Sequence, residues 1–194
     1  KAIDFVVKAQ FGPEYGIANG GWPQRFPHFP GAVSSMPLPN AGQIPPGGIA
    51  GMADGDYTLH VTFNDDVMGE NIKFMTMCVM ALGETRLIGM RLMQQPGPQA
   101  GWSLQHLSRP TGGRPAGAPA GARSYEPRSL ATHTTQTNIN QLFNYFQLTG
   151  DKKYLARIPE AIAWLKSCPL PADAATKHPR LAAGRTHPTF TELG

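Results

Sequence analysis

Apolar residues recur at helical spacing in several separate stretches of this chain. Between residues 133 and 148, for example, Ile139, Leu142 and Phe146 form one apolar stripe, and Gly150 follows as a helix-ending signal. Applied along the whole chain, this spacing predicts five helices, over about residues 1–10, 66–82, 85–95, 133–148 and 152–168.

Gly and Pro separate these predicted helices. The chain contains 22 Gly and 19 Pro, and many of them lie in residues 11–56 and 107–121. The first stretch holds too many Pro residues for central strands or helices, so we expect a long irregular connection there. The second stretch is low in complexity and predicts a surface loop. Long ordered loops inside compact domains usually carry function.

Two predicted helices lead into similar turns. KAIDFVVKAQ precedes GGWPQ at 20–24, and LIGMRLMQQ precedes GWSLQ at 101–105. IPEAIAWLKS is a third helix of similar type, although no such turn follows it. Helix pairs that stack side by side bury a continuous core that one pair alone could not cover. The sequence therefore predicts a single all-α domain, residues 1–194, built of successive helical hairpins.

The composition narrows the class of partner. Charged residues make up 15% of the chain and the net charge is +4, which suits an anionic partner. The Lys and Arg residues form no dense basic stripe, so we do not expect nucleic-acid binding. No run of about 18 apolar residues is present, so we expect no membrane span. Two cysteines, Cys78 and Cys168, are too few for a disulfide framework, although one bridge between them stays open.

Oxygen donors are concentrated at Asn64, Asp65 and Asp66, directly before the second predicted helix. Adjacent carboxylates beside an amide suit a hard cation such as Ca²⁺. The same residues are typical of a helix N-terminus, where they cap free N–H groups and meet the positive end of the helix dipole. These residues by themselves support a helix cap and a metal site equally well.

The two Trp turns and the segment around Arg123 are the other candidates. Trp22 and Trp102, each beside Gly, either pack inside a helical repeat or form platforms on which a sugar ring stacks. Arg123 lies between a Gly/Pro-rich loop and a helix, where functional residues often lie, although, judged alone, it is more typical of a solvated surface Arg or of an ion pair with Glu126. His106, judged alone, is more typical of a structural histidine. Motifs for covalent serine or cysteine catalysis, nucleotide binding or zinc are absent from the sequence.

Taken in order, several segments resemble the pectate lyases of polysaccharide lyase family ten. The resemblance covers nearly the whole chain and implies an incomplete (α/α) toroid of repeated helical hairpins. It also implies that this chain lacks the N-terminal and C-terminal segments of the catalytic domain, which in the family carry a further Asp and further Arg residues. The matching segments are GGWPQ at 20–24, HVTFNDD at 60–66, GWSLQH at 101–106, ARSYEP at 122–127 and THPTFTELG at 186–194.

The resemblance implies a chemistry and the residues that perform it. It implies cleavage of α-1,4-linked polygalacturonate by Ca²⁺-assisted β-elimination, which gives 4,5-unsaturated oligogalacturonates. Asp65 and Asp66 then match the Ca²⁺ ligands, and Arg123 matches the Arg that abstracts a proton from carbon five of the sugar. The residues that the resemblance assigns to the substrate cleft are Asn64, His106, Tyr125, Trp22 and Trp102.

We therefore expect a secreted or periplasmic, monomeric lyase that acts on de-esterified pectin with Ca²⁺. Because guanidinium rarely loses its proton, an Arg base predicts an alkaline activity optimum. A non-catalytic polyuronate-binding protein is the main alternative, and a hydrolase of another uronate polymer is a weaker one. An unsaturated product that absorbs ultraviolet light separates the lyase from both.

Overall fold

A computed structural model describes residues 1–24, 60–82, 100–123 and 126–191 of the chain. Within these ranges 3₁₀ turns cover Pro13–Ala18, Asn64–Asp66 and Lys152–Leu155. The α-helices in the same ranges are α1 (Ala2–Lys8), α2 (Val67–Leu82), α3 (Thr132–Thr149), α4 (Ile158–Ser167) and α5 (Ala174–Lys177).

Short strands connect the helical segments. β1, β2 and β3 form one antiparallel sheet with β2 in the middle, and β4 pairs with β5 in a second antiparallel sheet. In the first sheet Gln105 lies opposite Thr62 on one side and Ala120 on the other. The strands are β1 (Val61–Thr62), β2 (Gln105–His106), β3 (Pro119–Ala120), β4 (Leu130–Ala131) and β5 (Phe190–Thr191).

The predicted all-α toroid is wrong, because the protein is mixed α/β with two small antiparallel sheets. The sequence gives no sign of these strands for a physical reason. Each is two residues long, too short for an alternation of apolar and polar residues to be visible. The predicted surface loop at 107–121 is partly wrong as well, since it contains β3 and since Leu107, Ala118 and Ala120 form a buried cluster.

The helices predicted over 66–82 and 133–148 are confirmed. α2 and α3 lie where the apolar spacing predicts them, and α3 ends at Gly150, which adopts φ 71° and donates its N–H to the Phe146 carbonyl at 2.7 Å. The helix predicted over 152–168 is divided into a 3₁₀ turn and α4, with Pro159 in the first turn of α4. The helix predicted over 85–95 and most of the stretch 11–56 lie outside the described residues.

The main core lies between α2, α3 and the segments that carry the two Trp turns. Its side chains come from α2, from Leu142 of α3 and from the strands and turns beside them. α1 contributes partly buried residues at its edge, and α3 packs against α4 and the 3₁₀ turn before it. This core places the start of α2 next to the start of α3. The buried core residues are Ala18, Trp22, Val61, Phe63, Met68, Ile72, Met75, Trp102, Leu142 and Ala161.

Candidate functional site

The turn Asn64–Asp66 between β1 and α2 has an unusual backbone. Asp65 and Asp66 adopt φ values of 53° and 56°, and they are the non-glycine residues with positive φ among those described. A left-handed conformation costs roughly 1–2 kcal/mol for an L-residue, and Asp tolerates it better than most. Such strained residues concentrate at functional sites, where the surrounding structure holds them in place. The simple helix cap does not account for two of them in succession.

Asp65 lies against Arg123, which comes 58 residues later in the chain. The two side chains form an ion pair, and Arg123 Nη1 also approaches Asp65 Oδ1 at 3.4 Å. Gln24, from the GGWPQ turn, donates its amide N–H to Asp65 Oδ2 at 3.2 Å. The carboxylate is 46% exposed, so it remains reachable from solvent. Three of the segments that resemble the lyase motifs therefore meet at one carboxylate.

A second carboxylate, that of Glu126, also holds Arg123. Glu126 is buried, and it accepts the backbone N–H of Arg123 at 3.1 Å and the Nη1 of the same residue at 3.2 Å. It also accepts the Asn64 amide N–H at 3.2 Å. A buried charge needs such partners because desolvation is expensive. Glu126 thus fixes both ends of Arg123 and links it to the turn that carries Asp65.

Asp66 is held by another set of side chains. Gln141 of α3 donates to its Oδ1 at 3.3 Å, and Lys73 of α2 pairs with its Oδ2 at 3.4 Å. Gly69 passes directly beneath this contact, because a Cβ there would lie 2.1 Å from Asp66 Oδ1. Gly69, Lys73 and Gln141 are absent from the sequence-based candidates, since each looks like an ordinary residue of an amphipathic helix.

A pocket of about 290 Å³ adjoins these residues. One wall consists of residues 63–66 with Met68 and Gly69, and the facing wall comes from the start of α3. Arg123 lies beside the acidic wall through its ion pair with Asp65. The pocket is thus lined by carboxylates on one side and by neutral polar side chains on the other. The residues that α3 contributes are His133, Thr134, Thr137 and Asn138.

The two Trp residues are buried and bonded within the core. Trp102 is 0% exposed, and the Arg157 guanidinium lies 4.2 Å from the centre of its ring. Trp22 is 3% exposed and donates its indole N–H to the Val6 carbonyl at 2.9 Å. A ring with both faces covered cannot stack on a sugar. Of the two interpretations open from the sequence, burial favours core packing.

His106 is also a buried structural residue in this arrangement. Its Nδ1 donates to the Gly117 carbonyl at 2.8 Å, and its Nε2 accepts the Ser103 backbone N–H at 3.0 Å, which requires the neutral ring. The pKa of His106 is lowered from 6.5 to about 4, mainly by burial and to a smaller extent by the charge of Arg157, while the hydrogen bond to the Gly117 carbonyl acts in the opposite direction. The ring joins the turn 101–106 to the following segment. Tyr125, the remaining cleft residue, lies outside the described residues.

The oxygen donors of Asp65 and Asp66 suit a Ca²⁺ site that an acidic ligand completes better than a Ca²⁺ site that the protein forms alone. In the part of the chain that the structure describes, no group of three or more His, Cys, Asp and Glu side chains could hold a metal ion. Asp65 and Asp66 are consecutive residues with half-exposed carboxylate oxygens, which are suitable ligands for a hard cation. Lys73 forms an exposed ion pair of little strength with Asp66, whereas Arg123 pairs with Asp65 through both of its terminal nitrogens. A cation held here needs further oxygens, such as those of an acidic ligand.

Protein-family models, curated proteins and solved structures provide no match to this chain. Within the described ranges, none of the helices is both long and apolar enough to span a membrane. Cys78 and Cys168 are both free thiols, so the bridge left open by the sequence is not formed.

Proposed function

We propose that the protein is a pectate lyase, which cleaves α-1,4-linked polygalacturonate by Ca²⁺-assisted β-elimination. One observation carries this proposal: the guanidinium of Arg123 lies between Asp65 and the buried Glu126, beside a pocket that Asp65 and Asp66 line. The residues that the resemblance gives as the base and as the cation ligands are thus neighbours in space. The mixed α/β fold lends no support, so the proposal rests on the resemblance of the motifs and on the geometry of the site.

The reaction requires a base and a way to acidify the sugar. Arg123 would remove the proton from carbon five, the electron pair of that C–H bond would form the C4–C5 double bond, and the C4–O glycosidic bond would break with its electrons on the leaving oxygen. Asp65 and Asp66 would hold Ca²⁺ together with the uronate carboxylate. When bound, Ca²⁺ supplies Lewis-acid stabilisation of the negative charge that develops on that carboxylate.

The positions of the neighbouring residues support this division of roles. Glu126 and its bonds to the Arg123 backbone and Nη1 keep the guanidinium from folding away from the pocket. Asn64 orients Glu126 in turn. Proton abstraction depends on such positioning, because the base must lie within hydrogen-bond reach of the proton that it removes. The charged guanidinium rarely releases a proton near neutral pH, so activity should rise toward alkaline pH.

The decisive test is the ultraviolet absorbance of the unsaturated product. The full chain is incubated with polygalacturonate and CaCl₂, with and without a chelator, at neutral and alkaline pH. We expect absorbance that grows with time, rises with pH and stops on chelation. Absorbance that is absent under all of these conditions contradicts the lyase. The proposal includes a monomeric protein that is exported from the cell to reach the polymer.

A non-catalytic polyuronate-binding protein is the second candidate, and the double pairing of Arg123 favours it. A guanidinium between two carboxylates is well placed to remain charged and to anchor an acidic ligand without taking a proton. The same assay separates the two functions. Binding of polygalacturonate without any unsaturated product supports the binding protein and excludes the lyase.

A further inference from the structure

The wall of the pocket that faces Asp65 and Asp66 carries hydrogen-bond donors that have no role in the proposed reaction. It is the start of α3, which presents neutral polar side chains to the pocket, among them His133, Thr137 and Asn138. The resemblance assigns none of these residues to the substrate cleft. Their position across the pocket from the acidic turn makes them the natural second half of a binding site.

The N-terminus of α3 lacks a side-chain cap. Its N-cap residue, Ala131, has no side chain that could cap the helix, and the first turn contains no acidic residue. The N–H of Thr132 donates to the Thr189 carbonyl at 3.2 Å. The next N–H groups of a helix have no acceptor within the helix, and the helix dipole adds partial positive charge at this end. An 18-residue helix that starts in this way is a ready site for an oxyanion.

Asn138 supplies a second and independent indication of a ligand. Asn138 lines the pocket and is only 3% exposed, and its Nδ2 is buried without a hydrogen-bond partner among the described residues. Leaving a buried amide donor unpaired costs about 1–3 kcal/mol. Folded proteins retain few such groups, and those that persist usually have a functional reason.

We propose that the start of α3 and Asn138 form a subsite for a ligand carboxylate, that of a galacturonate unit next to the one being cleaved. This inference rests on the proposed function. The Nδ2 of Asn138 and the free N–H groups of the first turn donate to the carboxylate oxygens, and Thr137 adds a hydroxyl. The facing carboxylates of Asp65 and Asp66 are each paired with a cation, which reduces their repulsion of an anionic ligand.

The test compares two ligands and three variants by titration calorimetry of the full chain in CaCl₂. The ligands are trigalacturonate and its methyl ester, which keeps the shape and removes the charge. Asn138→Leu keeps the branched shape and removes the donor, Asn138→Asp introduces a carboxylate, and Asn140→Leu changes an exposed Asn on another face of α3. We expect Asn138→Leu to weaken trigalacturonate binding on the order of tenfold, which corresponds to one lost hydrogen bond to a charged group.

Asn138→Asp should weaken binding further, because it places a negative charge at the subsite. Asn140→Leu should bind as the unchanged protein does, and the ester should bind equally to the unchanged protein and to Asn138→Leu. The urea unfolding midpoint of Asn138→Leu should not fall, since the variant removes an unpaired buried group. Equal binding of trigalacturonate by Asn138→Leu, or an equal loss for both ligands, overturns the subsite while leaving the lyase proposal intact. An unchanged protein that binds neither ligand overturns both.

Discussion

Two neighbouring turns of this protein differ sharply although both stand out in the sequence. The turn 64–66 carries half-exposed charges, a left-handed backbone and partners drawn from distant segments. The turn 101–106 is buried throughout, and His106 of this turn accepts the N–H of Ser103, three residues before it. A motif that stands out in the sequence can therefore belong to the candidate site, as turn 64–66 does, or to the buried scaffold that supports it, as turn 101–106 does. What separates the two is exposure: the turn 64–66 holds its carboxylates beside a pocket, whereas the turn 101–106 is buried.

The scaffold turn supports the site turn directly. The carbonyl of Leu104 accepts the backbone N–H groups of both Phe63 and Asn64, at 2.8 and 3.0 Å. This pairing fixes the chain immediately before Asp65, where the left-handed backbone begins. A strained segment persists only when its surroundings determine it, and the buried turn supplies those surroundings. Substitutions in the two turns should therefore affect different properties.

Arg123→Ala should produce the largest change, and it should affect turnover. Loss of a general base lowers kcat by about 10²–10⁴-fold, while binding of polygalacturonate weakens much less. The rate of unsaturated product formation, measured over a range of substrate concentrations, gives both values. Arg109→Ala, which removes a surface Arg bonded to Tyr15, serves as the control. A normal kcat in Arg123→Ala would exclude Arg123 as the base.

Trp102→Ala should have the opposite profile, a loss of stability without a specific loss of binding. Removing a fully buried indole costs about 3–5 kcal/mol, and here it also uncovers the buried Arg157. Urea unfolding followed by circular dichroism measures this free energy. Phe143→Ala, at an exposed position of α3, should change it by less than about 0.5 kcal/mol. If Trp102→Ala impairs sugar binding and leaves stability intact, the ring is a platform after all.

His106 should make the scaffold turn sensitive to acid. Because burial lowers its pKa from 6.5 to about 4, the folded protein binds this proton less tightly than the unfolded chain does. The contribution to stability is complete above about pH 6.5 and is lost as pH falls from there toward 4, on the order of 3 kcal/mol in all. Unfolding free energies measured between pH 7 and 4 give the slope. We expect a shallower slope in His106→Gln than in the unchanged protein.

Glu126→Gln should lower kcat by about tenfold and change KM little. The substitution keeps the shape but places an NH₂ group against the donors of Arg123 and Asn64, so the guanidinium loses its fixed position. Steady-state kinetics separate kcat from KM, and Glu126→Asp should restore part of kcat because it restores the charge. Glu14→Gln, at an exposed position, is the matched control. A proportional loss of folded protein in place of a lower kcat would mean that Glu126 is only structural.

The smallest effects should come from the backbone of the site turn. Asp65→Asn should alter the unfolding free energy by less than about 0.5 kcal/mol, because Asn also tolerates the left-handed region. Asp65→Val should cost about 1–2 kcal/mol more, since a β-branched residue is strained at φ 53°. Asp173→Val is the control, because it makes the same substitution at a residue whose φ of −94° does not strain Val. Equal stability of the two Asp65 variants would show that the turn relaxes without loss.

Several features of the site could be predicted from the sequence. Asn64, Asp65 and Asp66 are consecutive, so the sequence alone places three oxygen-donor side chains in one short segment. The contact between Asp65 and Arg123 is different, because 58 residues separate them and local spacing says nothing about such a pair. Glu126 illustrates both cases. Its ion pair with Arg123 is suggested by the sequence, because the two residues are three positions apart. Its hydrogen bond with Asn64 is visible only in the three-dimensional structure.

The sequence by itself determined the long helices α2 and α3, because a 3.6-residue period over four or more turns leaves a clear apolar stripe. The tertiary structure decided the rest. Strands of two residues leave no period, so the two sheets and the mixed α/β class arise from pairing between distant segments. Three features of the site depend on neighbours that only folding supplies: the left-handed turn at Asp65 and Asp66, the burial of Glu126 and the pocket beside the uncapped start of α3.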